Sequence, residues 1–258
     1  MLTRQYQKDL ARLHRRKERE QQGVFLVEGL RSVEAALDAS ASLDAVLVTP
    51  ETAADHRVAA LLRRAEAARV PVHQLAARDL GRITTVTSGQ GIAAVARRVL
   101  QPVSALKQAA SLLVLDGVQD PGNVGTLVRA AAWFGLDGVL AGPGTADLES
   151  PKVVRSAMGG LWNLALCQTD TLVATLGVLR ADGWHLAAAD LDGTPASSWT
   201  PPEKTALILG SEAHGVSGAV RAVVDERVTI TGRTERRSGV ESLNVALAGG
   251  IVLHRWRG

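Results

Sequence analysis

The sequence predicts an α/β protein of two domains, the second built on a mainly parallel sheet. Apolar runs of strand length alternate with segments of helical period along most of the chain, the pattern of strands joined by crossover helices. At 258 residues the chain is long enough for two modest cores. Around 97–109, charge, Pro102 and broken apolar patterning mark a boundary. The expected division is therefore a first domain at 1–98, a linker at 99–109 and a second domain at 110–258.

Residues 3–22 suit one amphipathic helix, with Tyr6, Leu10 and Leu13 toward one side, Arg12, Arg15, Arg16 and Arg19 elsewhere around it, and Gly23 as its stop. A strand at 24–27, a helix at 30–39, a strand at 45–48, a helix at 53–69 and strands at 70–72 and 92–96 complete a small α/β unit. Beyond the linker come a strand at 112–115, a helix at 124–134, strands at 137–140 and 164–167, and a helix at 171–181. Strands at 185–189, 206–209 and 228–230 follow, then a last helix at 243–256. No repeat of 20 to 50 residues and no low-complexity tract interrupts this order.

The net charge of +3 is too small to name a partner, but its distribution is informative. Basic residues crowd into 12–19 and 233–237, and such local patches attract polyanions. Cys167 is the only cysteine, so no internal disulfide and no cysteine zinc site can form, and no metal is expected. The N-terminus leads straight into charged residues, and no apolar run approaches the roughly 20 residues that span a bilayer. A cytoplasmic protein is the expectation.

Three polar strings lie at the ends of strands, where open α/β sheets bind ligands. The first runs from Leu115 to Ala131: a strand stops at Asp116, passes Asp120, Pro121, Gly122 and Asn123, and restarts as a helix bearing Arg129. This suits a tight turn with an N-cap, and equally a polar ligand oriented by Asn123 and Arg129. The second runs from Leu207 to Val216. Gly210 admits another backbone or a ligand, and Glu212 is a carboxylate that a helix N-terminus would welcome. His214 reads as a loop histidine. The third runs from Gly239 to Gly250, with Ser242 suited to cap the last helix and Asn244 in its first turn. Small residues at Ala246, Ala248, Gly249 and Gly250 allow that helix a close neighbour, including the same helix of a second subunit.

Other chemistries are excluded by pattern. The sequence has no Gly-x-x-x-x-Gly-Lys-Ser/Thr phosphate loop, no Gly-x-Ser-x-Gly elbow and no His-Glu-x-x-His helix. The first strand-to-helix turn of the second domain also lacks Gly-x-Gly-x-x-Gly, against an ordinary dinucleotide-binding domain.

Together the three strings resemble the motifs of the SpoU (TrmH-like) RNA 2′-O-ribose methyltransferases of the SPOUT superfamily. Asp120-Pro-Gly-Asn-Val-Gly with Arg129 is similar to motif one, Leu209-Gly-Ser-Glu212 with Gly215 to motif two, and Glu241-Ser-Leu-Asn-Val245 to motif three. The run Pro151-Lys-Val-Val-Arg155, with Ser156, Met158 and Gly159, resembles the segment between the first two motifs. Arg15-Arg-Lys-Glu-Arg19 and Phe25-Leu-Val-Glu-Gly29 resemble the ribosomal-protein-like substrate-binding domain of many members.

The resemblance implies a SPOUT parallel-sheet domain with a deep trefoil knot, a homodimer, and S-adenosylmethionine as methyl donor. It assigns cofactor contacts to Leu209, Gly210, Glu212, Ile230, Leu243 and Asn244, largely through backbone groups. Arg129, Asn123, Glu212, Ser242 and Asn244 become the catalytic set, with Arg129 either proton acceptor or stabiliser of the developing alkoxide. RNA contacts are expected from Arg12, Arg15, Arg16, Lys17 and Arg19. One departure stands out: Val228-Thr-Ile-Thr-Gly232 lacks the family's proline and is followed by an apparent insertion, 233–238, a change that bears on cofactor-loop geometry. Within it Arg236 and Arg237 are further candidates for RNA phosphates. Ribosomal RNA is the favoured substrate; transfer RNA, and a non-catalytic RNA-binding assembly factor, are the alternatives.

Overall fold

The computed structural model describes residues 2–85, 90–232 and 242–258. The chain begins with α1 (Arg4–Arg12), α2 (Arg16–Gln22), β1 (Val24–Glu28), α3 (Leu30–Asp38), β2 (Leu43–Val48), α4 (Pro50–Ala53), α5 (His56–Ala67), β3 (Val72–Gln74), α6 (Ala77–Ile83) and β4 (Ile92–Arg97). It continues through β5 (Leu100–Gln101), a 3-10 turn (Val103–Gln108), β6 (Ser111–Asp116), α7 (Pro121–Trp133), β7 (Gly138–Ala141), α8 (Pro151–Ala157) and β8 (Ala165–Gln168). It ends with α9 (Leu172–Ala181), β9 (His185–Pro195), β10 (Thr205–Gly210), α10 (Gly218–Arg221), β11 (Glu226–Thr229) and α11 (Val245–Arg257). No helix among the described residues is long and apolar enough to cross a membrane.

Two compact units emerge: Met1–Val99 with Glu149–Trp162, and Leu100–Leu148 with Asn163–Gly258. The first holds a four-stranded sheet in the order β1-β4-β2-β3, antiparallel except for the β2–β3 pair. Its core gathers Leu10, Leu13, Leu26, Leu47, Leu80 and Val95.

The single helix expected over 3–22 is two helices. Leu10 and Leu13 are both fully buried, and the chain turns between them and Arg15, whose backbone is extended. Gln22 Nε2 then reaches back to the Asp9 carbonyl at 3.3 Å. Folding back lets both leucines enter the core while Arg15, Arg16 and Lys17 stay exposed. The helix expected over 53–69 also divides, because Asp55 caps a new start by accepting from Arg57 N and Val58 N.

The segment 149–162, assigned by sequence position to the second domain, packs in the first unit. Glu28, buried at the end of β1, accepts from Arg155 Nη1 at 2.5 Å and from Thr85 N and Oγ1 at 2.9 and 2.8 Å. Glu149 is likewise buried, accepting from Arg98 Nε at 2.7 Å and Val99 N at 2.9 Å. Trp162 stacks on Phe25. These two buried carboxylates, each satisfied by an arginine, fix the segment to β1 and the end of β4.

The second unit holds a seven-stranded parallel sheet in the order β11-β9-β10-β6-β7-β8-β5. The expected linker supplies its last strand, since β5 pairs with β8 and Leu106 is buried in the core. Alternate residues of β6 and β10 point to opposite faces. Leu112, Val114 and Ile208 pack with Leu172, Leu176 and Val220 of α9 and α10. On the other face α7 and α11 pack together, with α11 against β10. Cys167 lies in the core, where burial pushes its thiol up to about 11.

Candidate active site

All three polar strings meet at the carboxyl ends of β6 and β10, where the order of the sheet reverses. Asp120 caps α7, its Oδ1 accepting from Asn123 N at 2.9 Å, with Pro121 at the first helical position. Asn123 therefore sits in the first turn of α7, held by its own backbone. Its side chain bridges the other two strings. Nδ2 donates to Glu212 Oε1 at 2.7 Å, and Oδ1 accepts from Asn244 Nδ2 at 3.1 Å. Asn244 in turn caps α11, its Oδ1 accepting from Ala246 N at 2.9 Å and Leu247 N at 3.2 Å.

Glu212 lies at the N-terminus of α7, where unpaired N–H groups and the helix dipole favour a carboxylate. Its second oxygen accepts from Gln119 N at 3.4 Å. Burial alone would raise this carboxyl. Hydrogen bonds from Asn123, from its own N–H and from the Gln119 and Asp120 N–H groups outweigh that and bring it below the ordinary carboxylate value. The turn 117–119 is braced from the loop after β7. Thr145 Oγ1 donates to Leu115 O at 2.9 Å and accepts from Gly117 N at 3.1 Å, and Ala146 N donates to Val118 O. Asp116 ties the same turn to the residue that follows the second string by accepting from Ser217 N at 2.7 Å.

The SpoU rRNA Methylase family matches residues 110–254, and the MRM3-like substrate binding domain matches residues 5–94. The chain belongs to the SpoU rRNA methylase family. It is 34% identical over 252 residues to the 23S rRNA (guanosine(2553)-2'-O)-methyltransferase RlmP of Bacillus subtilis (strain 168), covering 97% of this chain and 95% of that protein. A TrmH-family protein from Porphyromonas gingivalis superposes with a TM-score of 0.82 at 35% identity over 100% of this chain and 98% of that one. The AdoMet-bound rRNA methyltransferase of Sinorhizobium meliloti shares the fold, with a TM-score of 0.80 at 24% identity over 99% of this chain and 95% of that one.

Of the residues matching the SpoU motifs, Asn123, Glu212 and Asn244 are thus in direct contact. Arg129 is not among them. It is exposed, about 120° around the helix from Asn123, on a stripe shared with Thr126 and with Trp133, which is 83% exposed. Ser242 is exposed and does not cap the last helix; Asn244 does, because α11 starts at Val245, two residues later than expected. Glu212 makes no ion pair with an arginine among the described residues. His214 is an exposed turn residue, its N–H donating to Ser211 Oγ.

Two of the cofactor-assigned residues, Leu209 and Gly210, lie on an open backbone edge. The β10–β9 ladder stops at Ile208↔Ala188, while the β10–β6 ladder runs on to Gly210↔Asp116. Leu209 and Gly210 are therefore free of strand pairing on the β9 side. Their side-chain space is already used: a Cβ at Gly210 would lie 1.9 Å from Gly215 C, and Leu209 Cδ1 packs where a Cβ at Gly249 would come within 2.6 Å. Ile230 is half-buried just past β11, and Leu243 is exposed. Backbone groups beside apolar side chains fit the adenosine portion of S-adenosylmethionine. The close neighbour of α11 lies within the same chain, since Gly249 meets Leu127 and Leu209, while Gly250 faces open space.

Among the basic residues, Arg12, Arg15, Arg16 and Lys17 are exposed. Arg19 is not: it is 2% exposed, and its Nη1 donates to the Leu13 carbonyl at 2.6 Å, so it holds the α1–α2 turn and is withdrawn from the RNA-facing set. Arg236, Arg237 and Glu241 lie outside the described residues. Thr145 and Gln119 carry no sequence signal as site residues, because their roles depend on loops that meet only in space.

Proposed function

We propose that the protein transfers a methyl group from S-adenosylmethionine to a ribose 2′-hydroxyl of ribosomal RNA. The carrying observation is the Glu212–Asn123–Asn244 chain of hydrogen bonds, which joins three motifs from distant parts of the sequence into one polar cluster. A module that only bound RNA would have no need of it. S-adenosylmethionine supplies an electrophilic methyl on a cationic sulfur. Leu209 and Gly210 would hold it through the open β10 edge, with Ile230 and Leu243 as apolar neighbours and Glu212 and Asn244 at its polar rim.

The chain's own task is to align the hydroxyl and stabilise the oxygen as its proton leaves. Asn123 is fixed at both ends of its amide and positions the ribose. Ser242, next to Asn244, completes the pocket. A guanidinium holds its proton too firmly for an easy base. Arg129 therefore acts as a cation beside the developing alkoxide, and the proton departs to water or an RNA phosphate.

The working form is a homodimer. Trp133 of α7 and Leu247 and Leu243 at the start of α11 are large, exposed apolar side chains on neighbouring elements, and a second copy would cover them. A trefoil knot accompanies this reading: α11 follows the edge strand β11 in the chain yet packs on β10 and α7. Exposed Arg12, Arg15, Arg16 and Lys17 supply phosphate contacts that position the RNA without reading its sequence; Arg236 and Arg237 extend this set.

Tritium transfer from labelled S-adenosylmethionine to RNA, followed by nuclease digestion, tests the reading. The expected product is a nuclease-resistant 2′-O-methylated dinucleotide. Arg129→Ala and Arg129→Lys should both abolish transfer while cofactor binding survives, since a point ammonium does not replace the planar fork. No incorporation into any RNA by the unaltered protein would sink it.

A further inference from the structure

The carboxyl end of β9 carries a carboxylate that the Glu212–Asn123–Asn244 cluster does not use. Ala188 and Thr194 of β9 pair with consecutive residues of β11, Arg227 and Val228, so 189–193 bulge out of the ladder. The bulge is tied at several points. Thr229 Oγ1 donates to Leu191 O at 3.0 Å, Arg227 pairs with Asp192, and a Cβ at Gly193 would strike the Arg227 carbonyl. Bulges of this kind re-aim a side chain next to a site. The side chain in question is that of Asp190.

Asp190 is a buried carboxylate with one oxygen left short. Its side chain is 9% exposed. Oδ1 accepts from Leu191 N at 2.7 Å, whereas Oδ2 is buried and receives no hydrogen bond among the described residues. Arg221 of α10 balances the charge, with Nη2 3.0 Å from Oδ2, but the pair lacks hydrogen-bond geometry. A buried oxygen in that state is costly until a donor reaches it.

The open backbone edge lies one strand away. Pairing of β10 with β9 ends at Ile208↔Ala188, and two residues beyond that pair stand Gly210 on one strand and Asp190 on the other. Neighbouring strands are about 4.8 Å apart. Arg221 Nη2 also comes within 3.9 Å of where a Cβ at Gly215 would stand, and Gly215 backs directly on Gly210. The Asp190–Arg221 pair therefore adjoins the backbone assigned to the adenosine.

The pair selects a neutral donor. An ammonium group would meet the Arg221 guanidinium, and a second carboxylate would meet Asp190. The neutral donors of S-adenosylmethionine are its ribose hydroxyls and its adenine amine. Backbone carbonyls of the unpaired β10 edge suffice for the amine, while a carboxylate is the usual partner of ribose hydroxyls in nucleotide sites.

We propose that Asp190 binds the ribose of S-adenosylmethionine, a hydroxyl donating to Oδ2 as Arg221, 44% exposed, turns outward and remains its counter-ion. The inference rests on the methyltransferase reading above.

Calorimetry on the full chain compares S-adenosylhomocysteine with its 2′,3′-dideoxyribose analogue, so the readout is binding alone. The unaltered protein should bind S-adenosylhomocysteine about tenfold more tightly than the analogue. Asp190→Asn keeps an acceptor for Leu191 N; it should lose that tenfold on S-adenosylhomocysteine and bind the analogue as the unaltered protein does. A purely structural role would weaken both ligands alike. That result, or equal binding of the two ligands by the unaltered protein, would overturn the proposal. So would a preference over S-inosylhomocysteine, which lacks the adenine amine, that disappears in Asp190→Asn, because the carboxylate would then serve the amine. Methyl transfer to RNA with both affinities untouched by Asp190→Asn would remove Asp190 and leave the methyltransferase reading standing. No binding of S-adenosylhomocysteine and no methyl transfer by the unaltered protein would retire that reading and this proposal with it.

Discussion

Asn244 does two jobs that substitution can separate. Its Oδ1 caps α11 and its Nδ2 donates to Asn123. Asn244→Ala should cost about 1 kcal/mol in urea unfolding as a lost cap and should also disable methyl transfer. Asn244→Asp keeps a capping oxygen but has no donor, so stability should stay near the parent while activity falls; equal loss of both in the two variants would refute the division. Glu212 yields a pH prediction. Its folded-state pKa lies below the ordinary 4.5, so its contribution is complete above 4.5 and is lost as pH falls through the lowered folded value. The difference in Tm between parent and Glu212→Gln should be constant at neutral pH and shrink only in acid; a difference that shrinks on raising pH would contradict the assignment. Asn123, Glu212 and Asn244 were all legible as candidates from their motif strings, and the structure brings the three into contact. The choice of Asn244 over Ser242 as cap was not, because both residue types cap well and only the starting point of α11 decides between them.

At the scale of elements, the apolar period identified nearly every strand and the long helices of the second domain, because parallel strands buried on both faces leave continuous apolar runs. The period failed where a helix changes direction. α1 and α2 have compatible patterns, and the break between them comes from burying Leu10 and Leu13 together. The short α6 and α8 offer too few turns for a period to register. Glycines on either side of the site separate close packing from open space. A Cβ at Gly210 would fall within 2.1 Å of the Gly215 and Val216 backbone, which cannot yield as a side chain can. Gly210→Ala should displace the second motif's loop and abolish cofactor binding, read by calorimetry. Gly250, helical with nothing near it, should accept alanine with a gain of up to about 1 kcal/mol. A Gly210→Ala protein that binds cofactor normally would show that the loop tolerates the shift.

For the molecule as a whole, the order of the chain and the order of packing differ. Residues 149–162 follow the first motif in sequence yet belong to the first unit, through Arg155 on buried Glu28 and Arg98 on buried Glu149. Arg155→Ala leaves the Glu28 charge with only Thr85, and should lower stability by about 2 kcal/mol and speed tryptic cleavage at Lys152 as the helix opens. Trypsin resistance equal to the parent's would show that Glu149 and Trp162 suffice. The sequence by itself determined the fold class, the family and the residue types of the proposed methyl-transfer site, because periodicity and local turn chemistry are written within a few residues of each other. Only the tertiary structure decided that Asn123 links Glu212 to Asn244, that Arg19 is buried, and that 149–162 joins the first unit. Each of these depends on which distant segments come into contact, and burial and hydrogen bonding across such distances leave no local pattern in the chain.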